Sequence, residues 1–263
     1  MKRQREEGTV PDGDDTPITK EGDMPRKCFY RSRAHCNPLS HNDSFDYPIS
    51  PAHLDWGALY PQFRRPPDFL DVGCGFGGLT VALAERFPDQ LTLGMEIRPK
   101  VCEFVRLKIE ALRAQEEGRY QNASVCRTNS MRYLPNFLRR AQLSKLFFCF
   151  PDPHFKTKNH RRRIVSDVLL SEYAYVLKPD ARLYVITDVE ALHDWHMEKC
   201  SAHPLFAQLS PEELQDDAAV DAMITETEEG KKVARAGNDK YWAVFRRIPD
   251  EEADFPRLFA GSS

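Results

Sequence analysis

Four glycines fall within the six residues Gly73-Cys74-Gly75-Phe76-Gly77-Gly78, directly after Asp71 and Val72. Glycine has no side chain to hold a ligand away, so this spacing suits a tight turn whose N–H groups approach a nucleotide-like cofactor. Gly73, Gly75 and Gly78 also satisfy G-x-G-x-x-G, which leaves a dinucleotide open. Glu96 follows in Gly94-Met95-Glu96-Ile97-Arg98. A carboxylate at the end of a strand can accept hydrogen bonds from both hydroxyls of a ribose. NAD and S-adenosylmethionine (SAM) share that ribose. Asn129-Ser130 offers polar side chains that could read an adenine's amine or, equally, cap a helix.

The most telling segment is Phe147-Phe148-Cys149-Phe150-Pro151-Asp152-Pro153-His154-Phe155-Lys156. Proline on both sides restricts the backbone and aims Asp152 from the end of a buried strand. From His154 to Arg163 the chain then carries Lys156, Lys158, Arg161, Arg162 and Arg163 and no acid. Phosphates suit that density of positive charge, although a run of charges can also be a solvated helix face.

Groups so far apart meet only if strands and helices alternate. Short β-rich runs predict strands at 69–72, 91–97, 124–128, 145–150 and 182–187, with helices at 78–87, 99–116, 161–177 and 189–202. A helical stretch at 228–236 and a strand at 242–247 close the pattern. Repeated βα units of this kind build a mostly parallel sheet, whose carboxyl edge gathers the residues named above. The domain reading is a disordered tail over 1–25, an ordered N-terminal arm over 26–67, a catalytic domain over 68–250 and a C-terminal tail over 251–263. The tail at the start lacks large apolar side chains, and the arm has aromatics among prolines that would dock on something larger.

Composition narrows the function. The 263 residues hold 37 Lys and Arg against 40 Asp and Glu, a formal charge of -3, so any nucleic-acid binding must come from local patches. Between Pro211 and Glu229 lie eight acids and no Lys or Arg, and without them 37 basic residues face 32 acidic ones. That acidic stretch would suit a basic surface on a partner but reads better as a solvated loop. No run is apolar enough for a membrane span or a signal peptide, which points to a soluble intracellular protein. The seven cysteines, scattered without a framework, are expected to stay reduced. Cys28, His35, Cys36 and His41 fit no common zinc spacing, so no metal is expected. His193 and His196 are spaced so that one could reach the site, but read better as surface histidines, and Asp188 reads as an acid supporting the site.

Taken together, Asp71-Val-Gly-Cys-Gly-Phe-Gly-Gly, Gly94-Met-Glu-Ile-Arg98, Phe150-Pro-Asp-Pro-His-Phe-Lys156 and Thr225-Glu-Thr-Glu-Glu-Gly-Lys-Lys232 resemble the tRNA (guanine-N7-)-methyltransferases. The resemblance covers about Arg26 to Arg247, and the arm sequence Phe29-Tyr-Arg-Ser-Arg-Ala-His-Cys-Asn-Pro38 is similar to the eukaryotic branch. It implies a Rossmann-like class I SAM-dependent methyltransferase of α/β class, with a mostly parallel seven-stranded sheet and an antiparallel last strand. The implied reaction is methyl transfer from SAM to N7 of a guanosine in the tRNA variable loop. Gly73, Glu96, Ile97, Arg98, Asn129, Ser130 and Cys149 would line the SAM site, and Asp152 would be the catalytic residue. Thr227 and Glu229 would close the pocket, with Thr225 and Glu228 offering the same chemistry at similar spacing. Cys149 replaces a larger apolar residue and Phe76 a familiar tyrosine, changes that backbone contacts should survive.

The resemblance further implies a non-catalytic WD-repeat β-propeller partner and a nuclear location, and the basic residues Lys156, Lys158, Arg161, Arg162 and Arg163 would bind RNA. Guanine N7 has a lone pair and no proton, so Asp152 is expected not to deprotonate it but to accept hydrogen bonds from the guanine edge or the methionine amino group, orient N7 and stabilise the developing charge. Two rival readings remain. An NAD(P)-dependent oxidoreductase would explain the glycine loop and Glu96 but leave Pro151-Asp152-Pro153 idle. A non-catalytic tRNA-binding scaffold would be marked by a broken glycine loop or a lost Asp152, and neither defect is present.

Overall fold

The computed structural model describes residues 22–32, 36–40 and 44–253. The tail expected over 1–25 lies outside the described residues up to position 21, as does the end of the chain from 254. Its helices are α1 (Trp56–Leu59), α2 (Gly78–Arg86), α3 (Pro99–Gln115), α4 (Ser130–Phe137), α5 (Asp167–Val176), α6 (Glu190–Ala202), α7 (Ala218–Thr225) and α8 (Glu228–Ala236). The strands are β1 (Phe69–Val72), β2 (Thr92–Glu96), β3 (Ala123–Arg127), β4 (Leu143–Cys149), β5 (Leu177–Thr187), β6 (Phe206–Gln208) and β7 (Tyr241–Arg247). They form a seven-stranded sheet in the order β3-β2-β1-β4-β5-β7-β6, with β7 antiparallel to both its neighbours. Strand order reverses between β1 and β4, which pair in parallel with Val72 opposite Phe148. A sheet of this kind opens a crevice at the carboxyl ends of those two strands.

Both faces of the sheet are covered, and the alternation of side chains decides which residue goes where. Leu70, Leu146, Phe148, Leu183, Val185 and Phe245 point to the face packed by α4, α5 and α6. Phe69, Phe147, Tyr184, Ile186 and Val244 point to the opposite face, under α2 and α7. The segment before β1 docks by its aromatics. Tyr30 packs edge-on against Phe104 of α3 at 5.7 Å, and the fully buried Tyr60 donates to the Thr92 carbonyl at 2.9 Å.

Two expectations are corrected. The helix predicted over 161–177 is a 3-10 turn at Thr157–Arg162, an extended stretch, and α5 beginning only at Asp167. Like charges three and four residues apart, Lys158 with Arg161 and Arg162, oppose a helix at its expected start, whereas Ser166 supplies the cap that starts one by accepting from the Leu169 N–H at 3.5 Å. The acidic stretch after Pro211 is not a solvated loop. It folds as a short 3-10 turn at Glu212–Leu214 and as α7, burying Leu214, Ala219, Val220, Ala222 and Met223 against α2 and the sheet. Glu212, Glu213, Asp216 and Asp221 are exposed on the outer face, whereas the Asp217 carboxylate is buried among Lys145, Arg182 and Tyr184.

Candidate active site

The crevice is lined first by the glycine loop. Gly73 closes β1 with φ +71°, a conformation that strains any side-chain-bearing residue, and no atom comes within 4 Å of the place a Cβ would take. A ligand can therefore lie directly on this backbone. Gly78 is required for a different reason, because a Cβ there would collide with the Glu226 carbonyl oxygen. Beneath the loop, burial pushes the Asp71 carboxyl up to about 7, against a hydrogen bond from Thr80 Oγ1 at 2.8 Å that lowers it.

Glu96 is 3% exposed at the end of β2. Its Oε1 accepts from the Arg98 N–H at 2.9 Å and from Arg98 Nε at 3.1 Å, and its Oε2 from the Gly75 N–H at 3.1 Å and Arg98 Nη2 at 3.0 Å. The carboxylate thus ties the glycine loop to the start of α3. Asn129 does what the cap reading expected, since its Oδ1 accepts from the Met131 N–H at 3.1 Å at the start of α4. Its amide also donates to the Pro38 carbonyl at 2.6 Å, fixing the arm across the crevice.

A first cleft of about 210 Å3 is lined by Gly73, Glu96, Ile97, Arg98, Asn129 and Ser130, with Cys149 and Asp152 on its far wall. Thr128 also lines it. This residue is 2% exposed and its hydroxyl has no hydrogen-bond partner among the described residues. Sequence reasoning missed it, because a single threonine after a strand carries no pattern. A second cleft of about 440 Å3 shares Gly73, Arg98, Cys149 and Asp152, and adds Asp188, Thr227, Glu228 and Glu229. Thr227 Oγ1 caps α8 by accepting from the Gly230 N–H at 3.0 Å, while Thr225 turns away to bond the Asp221 carbonyl at 2.8 Å. Glu228 pairs with Lys27 of the arm at 2.5 Å. Burial pushes the Cys149 thiol well above its ordinary range, which suits a wall rather than a nucleophile.

Asp152 stands where the two clefts meet a third, of about 410 Å3, lined by Phe155, Lys156, Asn159 and Arg162. The turn that presents it is strained on both sides, with Phe150 at φ +50° and His154 at φ +44°. Such conformations in residues other than glycine cost about 1–3 kcal/mol each and concentrate at functional sites. The His154 N–H donates to Asp152 Oδ1 at 3.1 Å, and His154 Nδ1 lies 3.6 Å from the same oxygen. Phe155 projects from this rim, 74% exposed.

The basic run divides. Lys156, Lys158 and Arg161 are exposed and Arg162 is half-buried, but Arg163 is 6% exposed and turned inward. His193 and His196 line none of these three clefts. His196 is 1% exposed and burial lowers it to about 3, which corrects its reading as a surface histidine. Cys36 lines the first and third clefts, Cys28 is exposed, and His35 and His41 lie outside the described residues.

A parallel sheet that reverses order beside a glycine loop, an acid closing β2 and an antiparallel β7 define a class I SAM-dependent methyltransferase. The profile of the family Methyltransf_4, described as "Putative methyltransferase", matches residues 65–243. A tRNA (guanine-N(7)-)-methyltransferase of Arabidopsis thaliana is 52% identical over 241 residues, 89% of this chain and 96% of that protein. Those of Danio rerio and Schizosaccharomyces pombe are each 49% identical, over 87% and 88% of this chain and 98% and 88% of theirs. Among solved structures, the 16S rRNA methyltransferase KamB matches with a TM-score of 0.49 and 18% identity, over 74% of this chain and 93% of that one. The chain belongs to the tRNA (guanine-N(7)-)-methyltransferase family.

Proposed function

We propose that this enzyme methylates N7 of a guanosine in the variable loop of tRNA, in the nucleus and in complex with a WD-repeat β-propeller subunit that does no chemistry. The observation that carries the reading is the position of Asp152, on a strained turn common to three clefts and followed at once by a run of cations. The family relatives named above support the substrate.

The residues present fit SAM. The unpartnered Thr128 hydroxyl and the apolar walls of Val72, Met95 and Met131 suit the adenine end of the first cleft. Ribose hydroxyls would reach Glu96 by taking the places of the Arg98 guanidinium donors, since a carboxylate offers about four acceptor sites and all are in use. Asp188, Glu228 and Glu229 make the second cleft acidic, as the cationic methionine end requires. When bound, SAM supplies a methyl group on a positively charged sulfur.

The third cleft would take the base. Phe155 offers it an aromatic face, and Lys156, Lys158, Arg161 and Arg162 offer its phosphates positive charge. Asp152 accepts hydrogen bonds from the guanine edge, orients N7 towards the methyl carbon and stabilises the positive charge that grows on the ring. No base is needed, because N7 bears no proton. The test is tRNA carrying 7-deazaguanosine at the variable-loop position. Transfer should vanish with that substrate and persist with the natural one, whereas equal transfer to both would place the acceptor atom elsewhere.

A further inference from the structure

The buried cation Arg163 is unused by the mechanism above. Its Nε donates to the Pro153 carbonyl at 3.0 Å, and its guanidinium carbon lies 4.6 Å from the centre of the Trp195 ring on α6. The two carbonyls that follow are also held. Tyr173 of α5 donates its hydroxyl to the Ile164 carbonyl at 2.7 Å, and Trp195 Nε1 donates to the Val165 carbonyl at 2.8 Å. His160 meets the same indole edge-on at 5.3 Å, and Lys199 Nζ lies 5.0 Å from its centre.

The stretch 163–165 is therefore a strap. One end is riveted to two helices of the scaffold, and the other reaches, through a single side chain, the proline immediately after Asp152. A turn with φ +50° and +44° on either side relaxes unless its surroundings over-determine it. A guanidinium stacked on an indole and bonded to a carbonyl is a stiff connection between them, because its planar fork is pre-organised and the contact is shielded from water.

We propose that Arg163 and Trp195 are positioning residues for the methyl transfer: they act through Pro153 to fix where Asp152 sits, and Arg163 does not touch RNA. This inference rests on the function proposed above, and it reassigns one of the five basic residues expected to bind phosphate.

Arg163→Met, Trp195→Leu and Trp195→Phe are made in the full chain. Methyl transfer is followed against tRNA concentration and salt, and amide hydrogen exchange is read over residues 150–156. Arg163→Met and Trp195→Leu should lower kcat roughly ten- to hundredfold, the range a small misplacement of a reacting group produces. The KM for tRNA and its salt dependence should hold, the double variant should be no worse than the poorer single one, and exchange at the His154 amide should quicken. Trp195→Phe keeps an aromatic face for the guanidinium and should recover most of the rate. Arg161→Met should do the reverse, raising KM and cutting the salt slope by about one at constant kcat.

A raised KM and a reduced slope in Arg163→Met at normal kcat would make Arg163 a phosphate contact and overturn the proposal. So would normal kcat with unchanged exchange in Trp195→Leu. That variant also decides the matter if Arg163→Met fails to fold, since it leaves the Arg163 charge and its bond to Pro153 in place. Should the wild type not methylate tRNA at all, the functional reading falls, while the exchange measurement still judges the strap on its own.

Discussion

Asp152 shows what a single carboxylate gains from its neighbours. Alone it would be a surface acid. Between two prolines, on a turn strained at Phe150 and His154, it is held at the mouth of the crevice with one oxygen steadied by the His154 N–H. Asp152→Asn keeps the shape and removes the charge, so kcat should fall by about 10²–10³, the usual loss when one group aimed at developing charge is removed. The KM for tRNA should change little. Turnover close to wild type would refute the electrostatic role. The sequence made this residue legible because proline leaves an unmistakable mark on the backbone. Thr128 left no such mark, and neither did the inward turn of Arg163. A run of cations declares its charge, but not which member faces the protein, and only the carbonyl of Pro153 and the ring of Trp195 decide that.

At the scale of elements, the βα alternation was readable wherever an element was long and its pattern regular. Strands β1 to β4 and helices α2, α3 and α6 lie within two residues of their expected bounds. β6 was missed because three residues cannot show a period. α7 was missed because its buried side is mostly small, with two alanines beside Val220 and Met223, while acids dominate the composition around it. Its anchor is Asp217, which caps the helix through the Ala219 N–H at 3.0 Å and accepts from Arg182 at 2.6 Å and Tyr184 at 2.5 Å. Burial works against this charge. The hydrogen bond from Tyr184 and the nearby Lys145 and Arg182 outweigh it, and Asp217 is held below its ordinary value of 3.8. Asp217→Ala should therefore cost about 1–3 kcal/mol in urea unfolding at pH 7, because it removes the cap of α7 and strands two partly buried cations and the Tyr184 hydroxyl. A carboxylate with a depressed folded pKa contributes fully above its unfolded value and loses that contribution as the pH falls through the folded one. The gap between variant and wild type should accordingly narrow below pH 3.8. A gap independent of pH would mean that packing of α7, not the ion cluster, accounts for the loss.

For the whole molecule, charge is distributed rather than abundant. A formal charge of -3 gives no general attraction to nucleic acid. The cations proposed to meet RNA are gathered beside Asp152 at the carboxyl edge of the sheet, and Asp217 lies by Lys145, at the other end of β4 from Cys149. So small a basic surface fits the proposed second subunit, and tRNA affinity of the chain alone should fall with salt by a slope of only the few phosphates its cations can meet. The most direct measurement is methyl transfer from labelled SAM to total tRNA by the purified chain, alone and with a co-expressed β-propeller subunit, followed by nucleoside analysis. The account predicts N7-methylguanosine as the labelled product, in far greater yield with the second subunit present. Label in another nucleoside, or none in either preparation while SAM still binds, would contradict it.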